Sequence, residues 1–259
     1  MKKNILIISI YYPPIQSIAS NRIYSFAKYL DKNKYNIYVH TLDENKEFKN
    51  NLDGVIVSRV KNNRFFKPLL FEKRTNKFIH YSKVIYNLII KRFTNNIYQK
   101  WIDNSYRLLK NNIQYNQIDL MISSFAPDSS HILALKLKKD FPNLKWISDM
   151  RDEMSFSPYI DTKVKENLRV LEKDIFKYTN AITSVSKPIL DEFRTNSINQ
   201  NILFREIRNG YDFQLNDNLD KNSIFTITYS GNFYADRNPI NFLKALEIVV
   251  LKYDIDIKI

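Results

Sequence analysis

The sequence predicts an α/β fold built on a parallel β-sheet, and three observations lead to that prediction. Short apolar runs of β-forming residues alternate along the chain with stretches of helical periodicity, which is the pattern of parallel α/β sheets. The first run, Ile5 to Ile10, is continuous rather than alternating, as expected for a strand buried on both faces. The 259 residues, 44% of them apolar, suffice to bury a sizeable core.

Each predicted element rests on its own local pattern. Apolar runs predict six strands in the first part of the chain, at residues 4–9, 36–41, 55–59, 119–123, 145–149 and 181–184. Helical periodicity predicts helices at about 20–31, 129–140, 163–178 and 187–196. A further extended stretch, 201–207, leads to the turn Asn209-Gly210.

A polar, turn-rich stretch at 216–222 (NDNLDKN) predicts a linker between two domains. We therefore expect a first α/β domain at 1–210, a linker at 211–222, and the start of a second domain at 223–259. The second part contains one predicted βαβ unit, made of strand 225–230, helix 239–253 and strand 256–259. One such unit cannot cover both faces of its sheet, so we expect either a fragment or a partner that supplies the missing half.

Composition excludes several kinds of site. Cysteine is absent, so there is no disulfide, thiolate metal site or cysteine nucleophile. The three histidines, His40, His80 and His131, are far apart in the sequence, and no metal site is predicted. The N-terminal apolar run is too short for a signal peptide, and no stretch approaches the roughly 20 apolar residues of a membrane span. The sequence predicts a soluble or peripheral protein.

The formal charge of +13 is concentrated in one segment. Between Arg64 and Lys110, eleven cationic residues stand against Glu72 and Asp103, which leaves +9. Aromatic and aliphatic residues, among them Trp101, are interleaved with these cations, so we predict a basic helical insertion at about 62–115. Such helices suit an anionic membrane surface, although a solvated face on core-packed helices has the same pattern. Aromatics between cations also stack nucleic-acid bases, but the helical periodicity and the lack of a nucleic-acid motif argue against that partner.

Four stretches spread over nearly the whole chain carry a family resemblance: ILIISIYYPPIQSIASNRIYSFAKYL, IDLMISSFAPDSSHILALKLKKDFPNLKWISDMRDEMS, LEKDIFKYTNAITSVSKPILDEF followed by IRNGYD, and ITYSGNFYADRNPINFLKAL. Together they resemble the GT-B-fold glycosyltransferases of the group 1, or family 4, type, especially those that build bacterial surface polysaccharides. The resemblance implies a GT-B-like double Rossmann arrangement, with a complete first domain and only the first βαβ unit of the second. It also implies a nucleotide sugar as substrate, no separate cofactor, and a lipid-linked or polysaccharide acceptor at the cytoplasmic face of the cell membrane.

The resemblance places the acceptor site at the carboxyl ends of the first-domain strands, where open α/β sheets bind ligands. Ser17, in the loop after the first strand, is either a helix N-cap or a ligand contact. His131, in the helix after strand 119–123, either binds a sugar hydroxyl or packs in the core. Arg151 and Asp152, just past strand 145–149, either close a loop as an ion pair or bind substrate. Asp152 is also the candidate general base of an inverting enzyme.

The donor site is expected in the second domain. Gly231, Asn232, Arg237 and Asn238 occupy the place where the family binds the nucleotide-sugar pyrophosphate. A glycine lets backbone amides approach the anion, and the start of a helix favours negative charge. Family members often have two basic residues here, whereas this chain has Asn232 at the first place and Arg237 at the second. A strand–turn–helix with a solvated Arg is the alternative.

Asn209-Gly210, before Tyr211-Asp212, matches the family's NGxD junction between the domains. We predict a hinge there, with a positive φ at Gly210. The family's acidic EX7E-type motif would lie beyond Ile259, so we expect that the isolated chain does not transfer sugar. The alternatives to a transferase are a non-catalytic membrane-docking or nucleic-acid-binding module and a GT-B sugar-nucleotide epimerase.

Overall fold

The computed structural model describes residues 2–43, 51–62, 81–82, 85, 96–211, 222–231, 233 and 238–258. The chain divides into two compact units, Met1–Gly210 and Tyr211–Ile259. Of the predicted basic segment at about 62–115, residues 62, 81–82, 85 and 96–115 are described. Two predicted donor-site residues, Asn232 and Arg237, lie outside the described residues.

The described part of the first unit is built on one sheet. Its strands are β1 (Lys3–Ile8), β2 (Tyr35–Asp43), β3 (Asn51–Leu52), β4 (Val55–Lys61), β5 (Leu120–Ser124), β6 (Lys145–Arg151), β7 (Ala181–Ser184) and β8 (Leu203–Glu206). Within the described residues their spatial order is β3-β4-β2-β1-β5-β6-β7-β8. All pairs are parallel except β3 with β4. The order reverses at β1, between β2 and β5, and open α/β sheets bind ligands at such a switch point.

Helices cover both faces of this sheet. They are α1 (Ile18–Tyr29), α2 (Gln99–Asn116), α3 (Ser129–Asp140), α4 (Thr162–Tyr178) and α5 (Lys187–Asn196). Ile5 and Ile7 of β1 are buried in one core cluster with Ile23 of α1. The alternate residues Leu6 and Ile8 are buried in a second cluster with side chains of α2 to α5. Burial on both faces explains why the first apolar run is continuous.

Helix α2 bears on the two alternatives that the sequence left open for the basic segment. Trp101 and Ile102, which belong to the segment predicted to meet a membrane, are fully buried in the core. The cations of α2 lie on its solvated side, where Lys110 pairs with Asp140 of α3 at 2.7 Å. Helix α2 is therefore core-packed with a charged outer face, because its apolar stripe covers the sheet. Tyr81 and Ile85 of the same segment are instead 65% and 59% exposed.

The short hairpin of β3 and β4 was not predicted from the sequence, because a two-residue strand has no periodicity to detect. Its turn residues, Asp53 and Gly54, have φ values of 53° and 71°. Two successive positive φ values are what a tight two-residue hairpin requires. Gly210, by contrast, does not have a positive φ, so that part of the hinge prediction is wrong.

These two glycines give a matched prediction. An added Cβ meets no atom within 4 Å at either position, so only the backbone conformation distinguishes them. Gly54→Ala is expected to lower the free energy of unfolding by about 1–2 kcal/mol, because an alanine is strained at positive φ. Gly210→Ala is expected to change it by less than about 0.5 kcal/mol. Urea unfolding of both variants checks this, and equal losses would contradict the assignment.

The second unit contains the predicted βαβ unit. Strands β9 (Phe225–Thr226) and β10 (Ile257–Lys258) are parallel, and α6 (Ile240–Tyr253) connects them. Strand β9 is shorter than the predicted 225–230. None of the residues of α6 is buried among the described residues.

Candidate functional site

The carboxyl ends of β5, β6 and β7 meet at one buried carboxylate. Asp149 of β6 accepts hydrogen bonds from Ser124 Oγ of β5 at 2.9 Å and from Thr183 Oγ1 of β7 at 2.8 Å. Arg22 of α1 donates two more, from Nε at 2.9 Å and from Nη2 at 2.7 Å. Its remaining nitrogen, Nη1, donates to Asn209 Oδ1 at 3.0 Å. We call these five residues the strand-end cluster.

The electrostatics of the cluster depend on full pairing. The Arg22 and Asp149 side chains are only 2% and 0% exposed. A buried ion pair is tolerated when its remaining hydrogen-bonding groups are satisfied, and the bidentate geometry with Ser124 and Thr183 provides that. Sequence reasoning missed Arg22 and Asp149 as site residues. Available signals were the arginine next to Ile23 in α1 and the acid at the end of a buried strand.

Arg151 has an unusual backbone. The β6–β7 pairing shifts register between Asp149 and Arg151, and Arg151 has a φ of 51°. Bulges of this kind change the direction of a side chain, and left-handed φ values in non-glycine residues concentrate at functional positions. The Nε and Nη2 atoms of Arg151 both lie 2.9 Å from Asp152 Oδ2, whereas its buried Nη1 has no partner among the described residues.

Asp152 thus forms an ion pair with its neighbour, as one of the two interpretations of the sequence expected. Its side chain is half exposed, and that of Arg151 is 13% exposed. An exposed carboxylate beside a guanidinium with one unused nitrogen can accept from a sugar hydroxyl while the arginine donates to another. The predicted role of Asp152 as a general base stays a prediction.

His131 is fully buried on α3 rather than open to a cleft. Its Nδ1 lies 2.7 Å from Ser123 Oγ, which itself accepts from Trp146 Nε1 at 2.9 Å. Because the serine hydroxyl proton is then available for Nδ1, we assign the proton of the neutral ring to Nε2. That nitrogen has no partner among the described residues. His131 therefore has the burial of a packing residue and one unused hydrogen-bond donor.

Burial lowers the pKa of His131 from 6.5 to about 4, while the charge of Asp149 acts in the opposite direction. Between these pH values the unfolded chain binds a proton that folded His131 does not. The unfolding free energy should therefore fall as the pH decreases from about 6.5 to about 4. We expect His131→Asn to reduce this slope by up to about 1.4 kcal/mol per pH unit. Unfolding curves across that window test this, and an unchanged slope would contradict it.

Ser17 is the N-cap of α1. Its hydroxyl accepts from the backbone N–H of Ser20 at 3.0 Å, which satisfies one of the free amides at the helix start. The preceding loop is tied to the sheet by Arg59 of β4, whose Nη2 donates to Pro13 O at 2.7 Å. The N-cap interpretation of Ser17 thus accounts for its position.

The predicted acceptor residues lie at the ends of different strands. Ser17 follows β1, His131 follows β5 and Arg151 ends β6, so all belong to the carboxyl edge of the sheet. Among the described residues, Asn209 belongs to the strand-end cluster through its bond to Arg22, and no hydrogen bond joins Ser17, His131 and Arg151 to one another. A cavity of about 250 Å³ borders the cluster, with walls from α1 and the chain before the unit boundary: Ile18, Asn21, Arg22, Ser25, Phe26, Arg208, Asn209 and Gly210.

Two predicted donor-site residues are described in the second unit. A Cβ added to Gly231 would lie 2.9 Å from the Tyr229 hydroxyl, so the Tyr229 ring covers the open side of this glycine. Tyr229 itself stacks on Phe233, with ring centroids 4.4 Å apart. Asn238 Oδ1 accepts from the backbone N–H of Ile240 at 3.0 Å and thus satisfies an amide at the start of α6.

Within the described residues, no group of three or more His, Cys, Asp or Glu side chains is arranged to hold a metal ion. None of their helices has the length and apolar character needed to cross a bilayer.

Comparison of the sequence with protein families and curated proteins finds no match. Comparison of the structure does find matches, among them sucrose-phosphate synthase of Thermosynechococcus elongatus, with a TM-score of 0.53 and 13% identity. That match covers 82% of this chain and 49% of the synthase, so the chain spans about half the synthase's length. The fold is that of a GT-B domain. The predicted GT-B-like α/β class is therefore confirmed.

Two other solved structures are similar over most of this chain. A glycosyltransferase of Rickettsia africae has a TM-score of 0.49 and 14% identity, and the match covers 96% of this chain and 57% of the other. MnaA of S. aureus, solved with UDP, has a TM-score of 0.44 and 12% identity, with coverages of 98% and 60%.

Proposed function

We propose that the chain is part of a glycosyltransferase that transfers a sugar from a nucleotide-sugar donor to a lipid-linked or polysaccharide acceptor in surface-glycan synthesis. The observation that carries the proposal is the arrangement at Arg151. Its bulge, its left-handed backbone and its buried Nη1, which has no partner in the described part of the chain, occur together at the carboxyl edge of the sheet. Open α/β folds bind ligands at this edge.

The chemistry of a saccharide acceptor suits these groups. Sugar hydroxyls need paired donors and acceptors, and Arg151 with Asp152 offers both on one side of the sheet. In an inverting reaction Asp152 would take the proton of the attacking hydroxyl as its oxygen bonds to the anomeric carbon. In the same step the bond from that carbon to the oxygen of the nucleotide diphosphate breaks, and the diphosphate leaves with the bonding electron pair. For the leaving diphosphate, the family resemblance implies the sequence positions Gly231, Asn232, Arg237 and Asn238, of which Arg237 would supply the neutralising charge.

We further propose a peripheral position at the cytoplasmic face of the membrane, with the segment at about 64–110 as the contact. Its support is the charge of +9 in that segment, which attracts anionic headgroups. The burial of Trp101 and Ile102 restricts the contact to other residues of the segment. Flotation with neutral and anionic vesicles tests the proposal, and equal partitioning to both would contradict it.

Ligand binding tests the glycosyltransferase proposal directly. The protein is titrated with UDP-sugars, GDP-sugars and a short-chain polyprenyl-pyrophosphate disaccharide, and the arginine Nε–H resonances are followed by NMR. We expect a saccharide probe to shift the Arg151 signal, and Arg151→Gln to weaken its binding about tenfold or more. Arg194→Gln, at an exposed surface ion pair, is the control and should bind like the wild type. Failure of every probe, or equal binding by both variants, would overturn the proposal.

A further inference from the structure

Arg22 is held on three sides. Nε and Nη2 bind the two oxygens of Asp149, Nη1 binds Asn209 Oδ1, and the guanidinium lies 4.8 Å from the centre of the Phe26 ring. The side chain is almost fully buried, so these contacts determine its orientation. Since the planar fork is fixed by Asp149, the direction in which Nη1 donates is fixed as well.

Asn209 accepts the hydrogen bond from Nη1 and lies at the boundary between the two units. The first unit ends at Gly210, the next residue. The backbone N–H of Ile207 still donates to Ser184 O at 2.8 Å, next to the end of β8. The chain then passes Asn209, which is exposed to solvent but reaches the buried Arg22 with its side-chain oxygen.

We propose that Arg22 is a positioning residue that fixes the chain where it leaves the first unit. The fixed point is the strand-end cluster, because Ser124 and Thr183 hold Asp149 and Asp149 holds Arg22. The guanidinium of Arg22 is already oriented by Asp149. The side-chain oxygen of Asn209 can therefore accept a hydrogen bond from it without a further loss of arginine conformational entropy. The anchor is thus rigid. Among the hydrogen bonds that the structure describes for Arg22, the bond to Asn209 can be released without leaving a buried carboxylate unpaired.

This inference deepens the proposed function and rests on it for its meaning in catalysis. Asp149 lies two residues before Arg151, so the cluster that holds Asn209 also holds the strand end that carries the proposed acceptor site. Arg22 would then set the position of the unit boundary relative to Arg151. The sequence separation of 187 residues between Arg22 and Asn209 makes this a property of the tertiary fold.

The experiment measures backbone and arginine dynamics by NMR on the protein without substrate. Asn209→Ala removes the acceptor, Asn209→Asp keeps an oxygen at the same place, and Arg208→Ala alters the neighbouring residue, which pairs with Glu206 instead. In Asn209→Ala we expect the order parameters of residues 208–211 to fall from about 0.85 to below about 0.6. The Arg22 Nε–H signal should persist, because its bond to Asp149 remains. Asn209→Asp and Arg208→Ala should both keep the wild-type values.

Two results would overturn the inference. One is an unchanged order parameter at 208–211 in Asn209→Ala. The other is a loss of order in Arg208→Ala as large as that in Asn209→Ala, which would show that any change in the segment has the same effect. Because no substrate is present, neither result bears on saccharide binding, and a failure of the proposed function leaves this measurement unaffected.

Discussion

Replacing Asp149 by Asn is expected to lower the free energy of unfolding by about 3–5 kcal/mol. The substitution keeps the shape of the side chain but removes the charge that compensates Arg22, and both side chains are almost completely buried. The NH2 group of the new asparagine would also face the guanidinium of Arg22, which can only donate hydrogen bonds. Urea unfolding at pH 7, with an unchanged dependence on urea concentration, measures the loss.

The surface pair of Lys139 and Asp174 provides the matched control. Its atoms lie 3.1 Å apart, but the two side chains are 46% and 45% exposed. Asp174→Asn should therefore cost no more than about 1 kcal/mol. Combining Arg22→Met with Asp149→Asn should recover part of the stability, because the uncompensated buried charge is then gone. A loss in Asp149→Asn no larger than in Asp174→Asn would contradict the role assigned to the cluster.

Replacing Trp101 by Ala is expected to lower the free energy of unfolding by about 3–5 kcal/mol in the absence of any membrane. Trp101 is fully buried, and the centre of its ring lies 5.7 Å from that of His40 on β2. Removing the indole leaves a cavity between α2 and the sheet that the surrounding core fills only in part. Thermal and urea unfolding of the purified variant measure the effect.

Leu108, on the same helix, is the control for Trp101. It is 40% exposed, so Leu108→Ala should cost well under half as much as Trp101→Ala. A membrane-inserting Trp101 would give the opposite result, with stability in solution unchanged and vesicle binding reduced. That outcome would contradict the packing of α2 described above.

Local patterns predicted most elements of the fold. The predicted helices 129–140 and 187–196 and the predicted strand 181–184 coincide with α3, α5 and β7. Each has a strong apolar pattern with clear boundary residues, such as the proline in the first turn of α5. The sequence of α2 left two alternatives open, because a basic amphipathic helix has one pattern whether its apolar face meets lipid or a sheet.

The candidate site was predicted only in part. Arg151 and Asp152 stood out because charged residues directly after a buried strand are unusual in a core. The bulge and the positive φ at Arg151 have no local signature, since the β6–β7 register depends on residues more than 30 positions away. The sequence did not indicate Arg22 as a site residue, because a single arginine on a helix is normally solvated.

By itself the sequence determined that this protein is an α/β protein with a parallel sheet and a separate βαβ unit after residue 222. Those properties follow from hydrophobic periodicity and turn residues, which act over a few positions. Only the tertiary structure decided that Trp101 belongs to the core and that Asp149 binds Arg22, 127 residues away in the sequence. The physical reason is that burial and charge pairing depend on which strands and helices become neighbours, and the sheet order that makes them neighbours is not encoded in any single segment.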